Sequence, residues 1–241
     1  KRQGGINPST RDEEIGADVS DVPFSICWLT TWDSTATCGS GGQMIYVEGM
    51  LHIVFTSNDS VYYSYSEDKG KTWTKKQFID IGENPSIASF QRRDVLLVYK
   101  RDESYWHCII SNRGTKTALY SASTYHHLQG SSLVVSCDTA YVVFEECEDC
   151  CPAGSEIKLM CFDVRRPMDV KIVGIASNHE KRQRNPRLGA DIYSRLHLIY
   201  ESDGFIWYVS FDKGQLNAVQ GKQEGPHCRA ARLLRERLSS Y

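Results

Sequence analysis

Four short apolar runs recur along this 241-residue chain, and each closes on an aromatic side chain. They are His52-Ile53-Val54-Phe55, Leu96-Leu97-Val98-Tyr99, Tyr141-Val142-Val143-Phe144 and His197-Leu198-Ile199-Tyr200. The closing aromatics lie 44, 45 and 56 residues apart, and a polar, Cys-rich insertion from Glu145 to Glu156 accounts for most of the excess in the last interval. After each run come turn or polar residues and then a second apolar or aromatic run, such as Val61-Tyr62-Tyr63-Ser64-Tyr65 or Phe205-Ile206-Trp207-Tyr208-Val209. A further short strand precedes each unit, and two of these strands are introduced by the same dipeptide, Asn84-Pro85 and Asn185-Pro186. β-Branched and aromatic residues in runs of this length, broken by Gly, Asn, Asp and Ser, read as strands.

Each unit therefore holds about four strands and repeats at roughly 44 residues, the period of a propeller blade. The expected fold is all-β: a β-propeller of about five four-stranded blades. A single β-sandwich is the competing architecture, and same-shaped runs at near-equal intervals argue against it. The segment Thr31-Trp32-Asp33-Ser34-Thr35-Ala36-Thr37-Cys38 suggests a degenerate fifth blade, with Asn7-Pro8 standing 26 residues before Asp33. One domain over residues 1–222 and a C-terminal tail over 223–241 are expected. The tail carries Ala230-Ala231-Arg232-Leu233-Leu234-Arg235, which suits a short basic helix or a closing strand.

Residues 66 to 73 read Ser66-Glu67-Asp68-Lys69-Gly70-Lys71-Thr72-Trp73, with Ser66, Asp68, Gly70, Thr72 and Trp73 filling the fixed positions of an Asp box. On this motif the chain resembles the Asp-box (BNR-repeat) β-propellers, a sialidase-like group that includes many non-enzymatic surface proteins. The resemblance implies a structural hairpin, in which Asp68 accepts backbone hydrogen bonds and Gly70 supplies a left-handed position. Weaker copies stand at Ser210-Phe211-Asp212-Lys213-Gly214, Asn112-Arg113-Gly114 and Cys161-Phe162-Asp163.

Asp boxes sit on third-to-fourth-strand hairpins, and sites in this family usually lie on the opposite face. That face is expected to gather the second-to-third hairpins and the blade links. Its ligand-binding candidates are Arg101, Asp102, Glu145, Glu201, Arg184 and Arg187, with Glu103, Glu146, Asp203, His126, His127 and His179 nearby. A sialidase resemblance implies three arginines gripping a carboxylate, for which the planar guanidinium fork is suited. The family's Arg-Ile-Pro motif is missing, and no catalytic residue can be carried over. Five-bladed furanosidases instead use paired carboxylates, about 5–5.5 Å or 6.5–9.5 Å apart, and Glu145, Glu201 and Asp102 stand at equivalent hairpins.

Charge is nearly balanced, with 28 Lys+Arg against 30 Asp+Glu, so nucleic acid is not an expected partner. Apolar runs are too short to span a membrane. Nine cysteines favour an oxidising, extracellular or surface location. Disulfides are expected among Cys137, Cys147, Cys150, Cys151 and Cys161, with Cys147 and Cys161 facing across one hairpin. Cys147-Glu148-Asp149-Cys150 lacks a second spaced pair, so no metal and no cofactor is expected. Lys1 in place of an initiating Met suggests a processed form or a fragment. The expected function is non-catalytic binding of a glycan or protein partner. Glycoside hydrolysis is the alternative, and a structural subunit assembled through the tail or an unpaired Cys is a third.

Overall fold

The computed structural model describes residues 43–91, 94–110, 115–148, 154–178, 183–202 and 204–211, and the backbone of one short strand at Arg229–Ala230. Within them the chain builds four antiparallel sheets of four strands, each a meander in sequence order. The first blade is β1 (Met44–Val47), β2 (Met50–Ser57), β3 (Ser60–Ser66) and β4 (Gln77–Ile81). The second is β5 (Glu83–Phe90), β6 (Asp94–Arg101), β7 (Ser104–Ile109) and β8 (Thr117–Ser121). The third is β9 (His126–Ser136), β10 (Thr139–Glu148), β11 (Ser155–Asp163) and β12 (Arg166–Asn178). The fourth is β13 (Gln183–Ala190), β14 (Leu196–Ser202), β15 (Phe205–Phe211) and β16 (Arg229–Ala230). The expected fifth blade, the weaker copy at 112–114 and the tail's remaining residues lie outside the described residues.

The four aromatic-ending runs are β2, β6, β10 and β14. Each is the second strand of its blade; β2, β6 and β10 are buried on both faces, which is why their sequences are continuously apolar rather than alternating, whereas burial alternates along β14 and leaves Ile199 exposed. Burial on both sides gathers three apolar clusters, one per blade interface. Val54, Val61 and Tyr63 meet Ile87, Leu97, Tyr99 and Cys108 between the first two blades. Leu96, Val98 and Tyr105 meet Leu133, Val142, Phe144 and Met160 between the second and third. Tyr141, Val143, Ile157 and Leu159 meet Leu196, Leu198, Tyr200 and Val209 between the third and fourth.

One irregularity recurs at the same register in three blades. Between β5 and β6 the pairing steps from Glu83↔Lys100 to Ser86↔Val98, between β9 and β10 from Gln129↔Glu145 to Ser132↔Val143, and between β13 and β14 from Arg184↔Glu201 to Arg187↔Ile199. In each case two residues oppose one, the signature of a β-bulge. The doubled residues are Asn84-Pro85, Gly130-Ser131 and Asn185-Pro186, and the single residue opposite is the closing aromatic, Tyr99, Phe144 or Tyr200. The first bulge residue is left-handed in all three, with φ of 50° at Asn84, 58° at Gly130 and 55° at Asn185. Asn-Pro is thus a bulge signal here, since Asn tolerates that conformation and Pro needs no ladder donor.

The Ser66–Trp73 turn joins β3 to β4. Ser66 Oγ donates to Asp68 Oδ1 at 2.8 Å and accepts the Gly70 N–H at 2.8 Å. Asp68 accepts the Thr72 N–H at 2.8 Å and the Thr72 hydroxyl at 2.7 Å, while Trp73 Nε1 donates to the Gly70 carbonyl at 3.1 Å. The Thr72 backbone and side-chain donors hold the Asp68 carboxyl down at about 2.

The expected facing of Cys147 and Cys161 across one hairpin is not found. Cys108, Cys137, Cys147 and Cys161 are thiols, and Cys150 and Cys151 fall outside the described residues. Cys147 pairs in register with Ser155, whereas Cys161 pairs with Tyr141. The two sit at opposite ends of the long β10–β11 ladder, so they do not face each other. A hairpin brings residues together by register, and both strands extend into the polar insertion that the spacing suggested as the loop.

Candidate functional site at the strand bulges

The bulges bring three blades together at one end of their inner strands, away from the Ser66–Trp73 turn. There they enclose a pocket of about 530 Å³. The second blade supplies Glu83, Asn84 and Lys100, the third His127, Leu128, Gln129, Gly130 and Glu145, and the fourth Asn185 and Pro186. Each blade contributes residues from its bulge, and the second and third add the residue just after the closing aromatic, Lys100 after Tyr99 and Glu145 after Phe144. Backbone packing is tight at this end: a Cβ on Gly82, in the link entering β5, would meet the Lys100 carbonyl at 2.5 Å.

Polar groups dominate the pocket. Glu145 is only 3% exposed although it opens onto the pocket. Lys100 Nζ lies 3.1 Å from Glu83 and 3.2 Å from Glu103. Glu103 in turn accepts the Leu128 N–H at 2.8 Å and contacts His127 Nδ1 at 3.2 Å, clamping the second blade to the third. Burial works against the Glu103 charge, but the Leu128 N–H, His127 and Lys100 together hold its carboxyl below the usual range.

The next residue along β10 does a different job. Glu146 is buried towards the second blade, where Oε2 accepts from the Tyr120 hydroxyl at 2.6 Å and pairs with Lys158 at 2.9 Å, and Oε1 lies 2.9 Å from His126 Nδ1. Burial first, and then the Glu146 bond, push the Tyr120 hydroxyl up to about 12. Burial opposes the Lys158 charge, but Glu146 more than offsets it and raises that pKa.

The sequence candidates divide accordingly. Glu145 lines the pocket. Arg184 and Glu201 form an ion pair of 2.8 Å beside it, and Asn185 Nδ2 also donates to Glu201, at 3.2 Å. The Arg184 hydrogen bond lowers the Glu201 pKa, and Glu201 raises that of Arg184. Arg187 is half-buried and donates to the Pro186 carbonyl at 3.0 Å. Arg101 and Asp102 are not among the described lining residues. Arg101 lies 3.6 Å from Asp80 and stacks over the Trp106 ring, while Asp102 is an exposed left-handed turn residue. Both belong to the β6–β7 hairpin, whose turn carries them past the pocket. Lys100, Glu83, Asn84 and Gln129 were not picked out from the sequence as ligand-binding residues. The signal that finds them is the strand pairing: each sits at a bulge or in the pair that includes the residue following an aromatic.

No family model matches this sequence, and no curated protein matches it. Solved structures do. A Penicillium chrysogenum α-L-arabinanase complexed with arabinobiose aligns with a TM-score of 0.53 at 11% identity, over 73% of this chain and 64% of that one. A Bacteroides ovatus protein titled "Xyloglucan PUL GH43B" aligns at 0.51 and 11% identity, over 78% of this chain and 41% of that one. The fold is a β-propeller. A mutant of the NanB sialidase of Streptococcus pneumoniae aligns with the same propeller at 0.51 and 11% identity, over 73% of this chain and 31% of that one. This propeller chain spans less than two thirds of each of these relatives. Its described residues contain no cluster of His, Cys, Asp and Glu that would hold a metal, and no helix long and apolar enough to cross a membrane.

Proposed function

We propose that this propeller binds a neutral glycan in the bulge pocket and hydrolyses a glycosidic bond there, with Glu145 as one of its two carboxylates. The observation that carries the reading is Glu145 itself, a buried carboxylate opening onto a polar pocket that also holds Glu83. Glycoside hydrolysis needs two such groups, one to protonate the leaving oxygen and one to activate water or attack the anomeric carbon. The arabinanase and sialidase named above supply precedent for glycoside chemistry on this fold. No arginine is among the described lining residues, and Arg184 and Arg101 are committed to Glu201 and Asp80. This favours neutral sugars over sialosides.

The second reading is recognition without turnover. It is supported by the 3.1 Å ion pair that commits Glu83 to Lys100. Under either reading we infer that the Ser66–Trp73 turn is an Asp box with a structural role, that the chain is secreted or surface-exposed, and that the partner is a glycan rather than nucleic acid.

The test is a panel of 4-nitrophenyl α-L-arabinofuranoside, β-D-xyloside and α-sialoside. The proposal expects turnover of a neutral glycoside and a fall in kcat of about 10²-fold or more in Glu145→Gln. Binding of neutral glycans without turnover would leave the second reading standing. Absence of both would overturn the proposal.

A further inference from the structure

We infer that Asn84 is a ligand-reading residue of this pocket, its side-chain amide hydrogen-bonding a sugar hydroxyl. The inference rests on the sugar-binding reading of the pocket given above. It begins from the repeated bulge, in which Asn84, Gly130 and Asn185 occupy one structural position with φ near 50–58°. Gly130 shows that the bulge requires a left-handed residue and no side chain. Glycine is the least strained choice at such a φ, so the fold itself does not call for an asparagine amide at position 84.

The surroundings of Asn84 point the same way. Its backbone carbonyl already accepts the Ser131 hydroxyl at 3.0 Å, which stitches the bulge to the third blade. Its side-chain amide takes no partner among the described residues, and the residue is half-buried in the pocket wall. Asn185, at the same position in the fourth blade, differs: its amide nitrogen is held by Glu201 at 3.2 Å. The residue corresponding to Glu201 in the second blade is Lys100, which offers donors only and is occupied by Glu83 and Glu103. An amide with two donors and an acceptor is thus left without a protein partner, among the described residues, on a residue of the pocket wall. That combination suits a hydroxyl, which both donates and accepts.

Two variants separate recognition from folding. Asn84→Gly reproduces the residue already used at position 130, so it keeps the bulge and removes the amide. Asn84→Asp keeps the size and the left-handed tolerance but loses the donor. Thermal melts and calorimetric titrations of parent and variants with arabinobiose, xylobiose and 3′-sialyllactose form the experiment. The expected result is a melting temperature like the parent's for Asn84→Gly and a Kd raised about tenfold for the bound disaccharide in both variants. If Asn84→Gly melts early, Asn84→Asp carries the comparison. Unchanged Kd values in variants of a parent that binds would overturn the role of Asn84 alone. A parent that binds none of the three sugars would overturn the sugar-binding reading, and the inference with it.

Discussion

The Leu133 N–H donates to the Ser86 hydroxyl at 3.0 Å, and one blade later the Leu188 N–H donates to the Ser132 hydroxyl at 3.0 Å. The inner strands β5, β9 and β13 are therefore tied blade to blade by the same bond, each serine lying just after its bulge. Both hydroxyls are buried. Ser86→Ala leaves the Leu133 N–H without its acceptor and is expected to cost about 1–3 kcal/mol. That corresponds to roughly 2–4 °C in Tm per kcal/mol for a chain of this size, readable by differential scanning calorimetry.

Adjacent carboxylates on β10 should separate stability from function. Glu146→Gln leaves the half-buried Lys158 without its nearest counter-charge and is expected to cost about 3 kcal/mol. Glu145→Gln should cost less and instead remove glycan binding or turnover. Melting curves and one binding assay on the two variants check this, and a reversal of the two effects would contradict the assignment of faces along β10.

Asp68→Ala should lower Tm while leaving ligand binding intact, whereas Glu201→Ala and Arg101→Ala should stay within about 0.5 kcal/mol of the parent. The Asp68 contribution has a definite pH window. Its folded pKa of about 2 lies below the ordinary carboxylate value of 3.8, so its stabilisation is full above about pH 4. It is lost as pH falls towards 2. The gap in Tm between parent and Asp68→Ala should therefore narrow across that range.

His107 adds a second loss of stability on the acid side, at higher pH. It is buried against Phe162, with ring centroids 5.5 Å apart, and neither ring nitrogen has a hydrogen-bond partner among the described residues. Burial lowers its pKa from 6.5 to about 4. The unfolded chain protonates first, so stability is lost as pH falls from about 6.5 to about 4, by up to about 3 kcal/mol. His107→Phe should remove that slope, measured by urea unfolding at stepped pH.

Much of the architecture was legible because blade packing imposes a period. The runs ending in Phe55, Tyr99, Phe144 and Tyr200 are the second strands of their blades, and in the first three the apolar continuity follows from burial on both faces. The site was less legible. Glu145 stands out as an acid following an apolar run, but Lys100 and Asn84 acquire meaning only from a two-against-one pairing, which no local pattern reveals. Glu146 looks like Glu145 in sequence, and only the alternation of side chains along β10 sends one to the pocket and the other to a blade interface. Cys147 and Cys161 misled for a similar reason: proximity to a loop in sequence says nothing about register across it.

The location of the site is tested most directly by a crystal structure of this propeller soaked with arabinobiose. Sugar density in the pocket, touching Asn84, Glu145 and Asn185, is the predicted result. Density on the opposite face, beside the Asp68 turn, would contradict the assignment of function to the bulged ends of the blades.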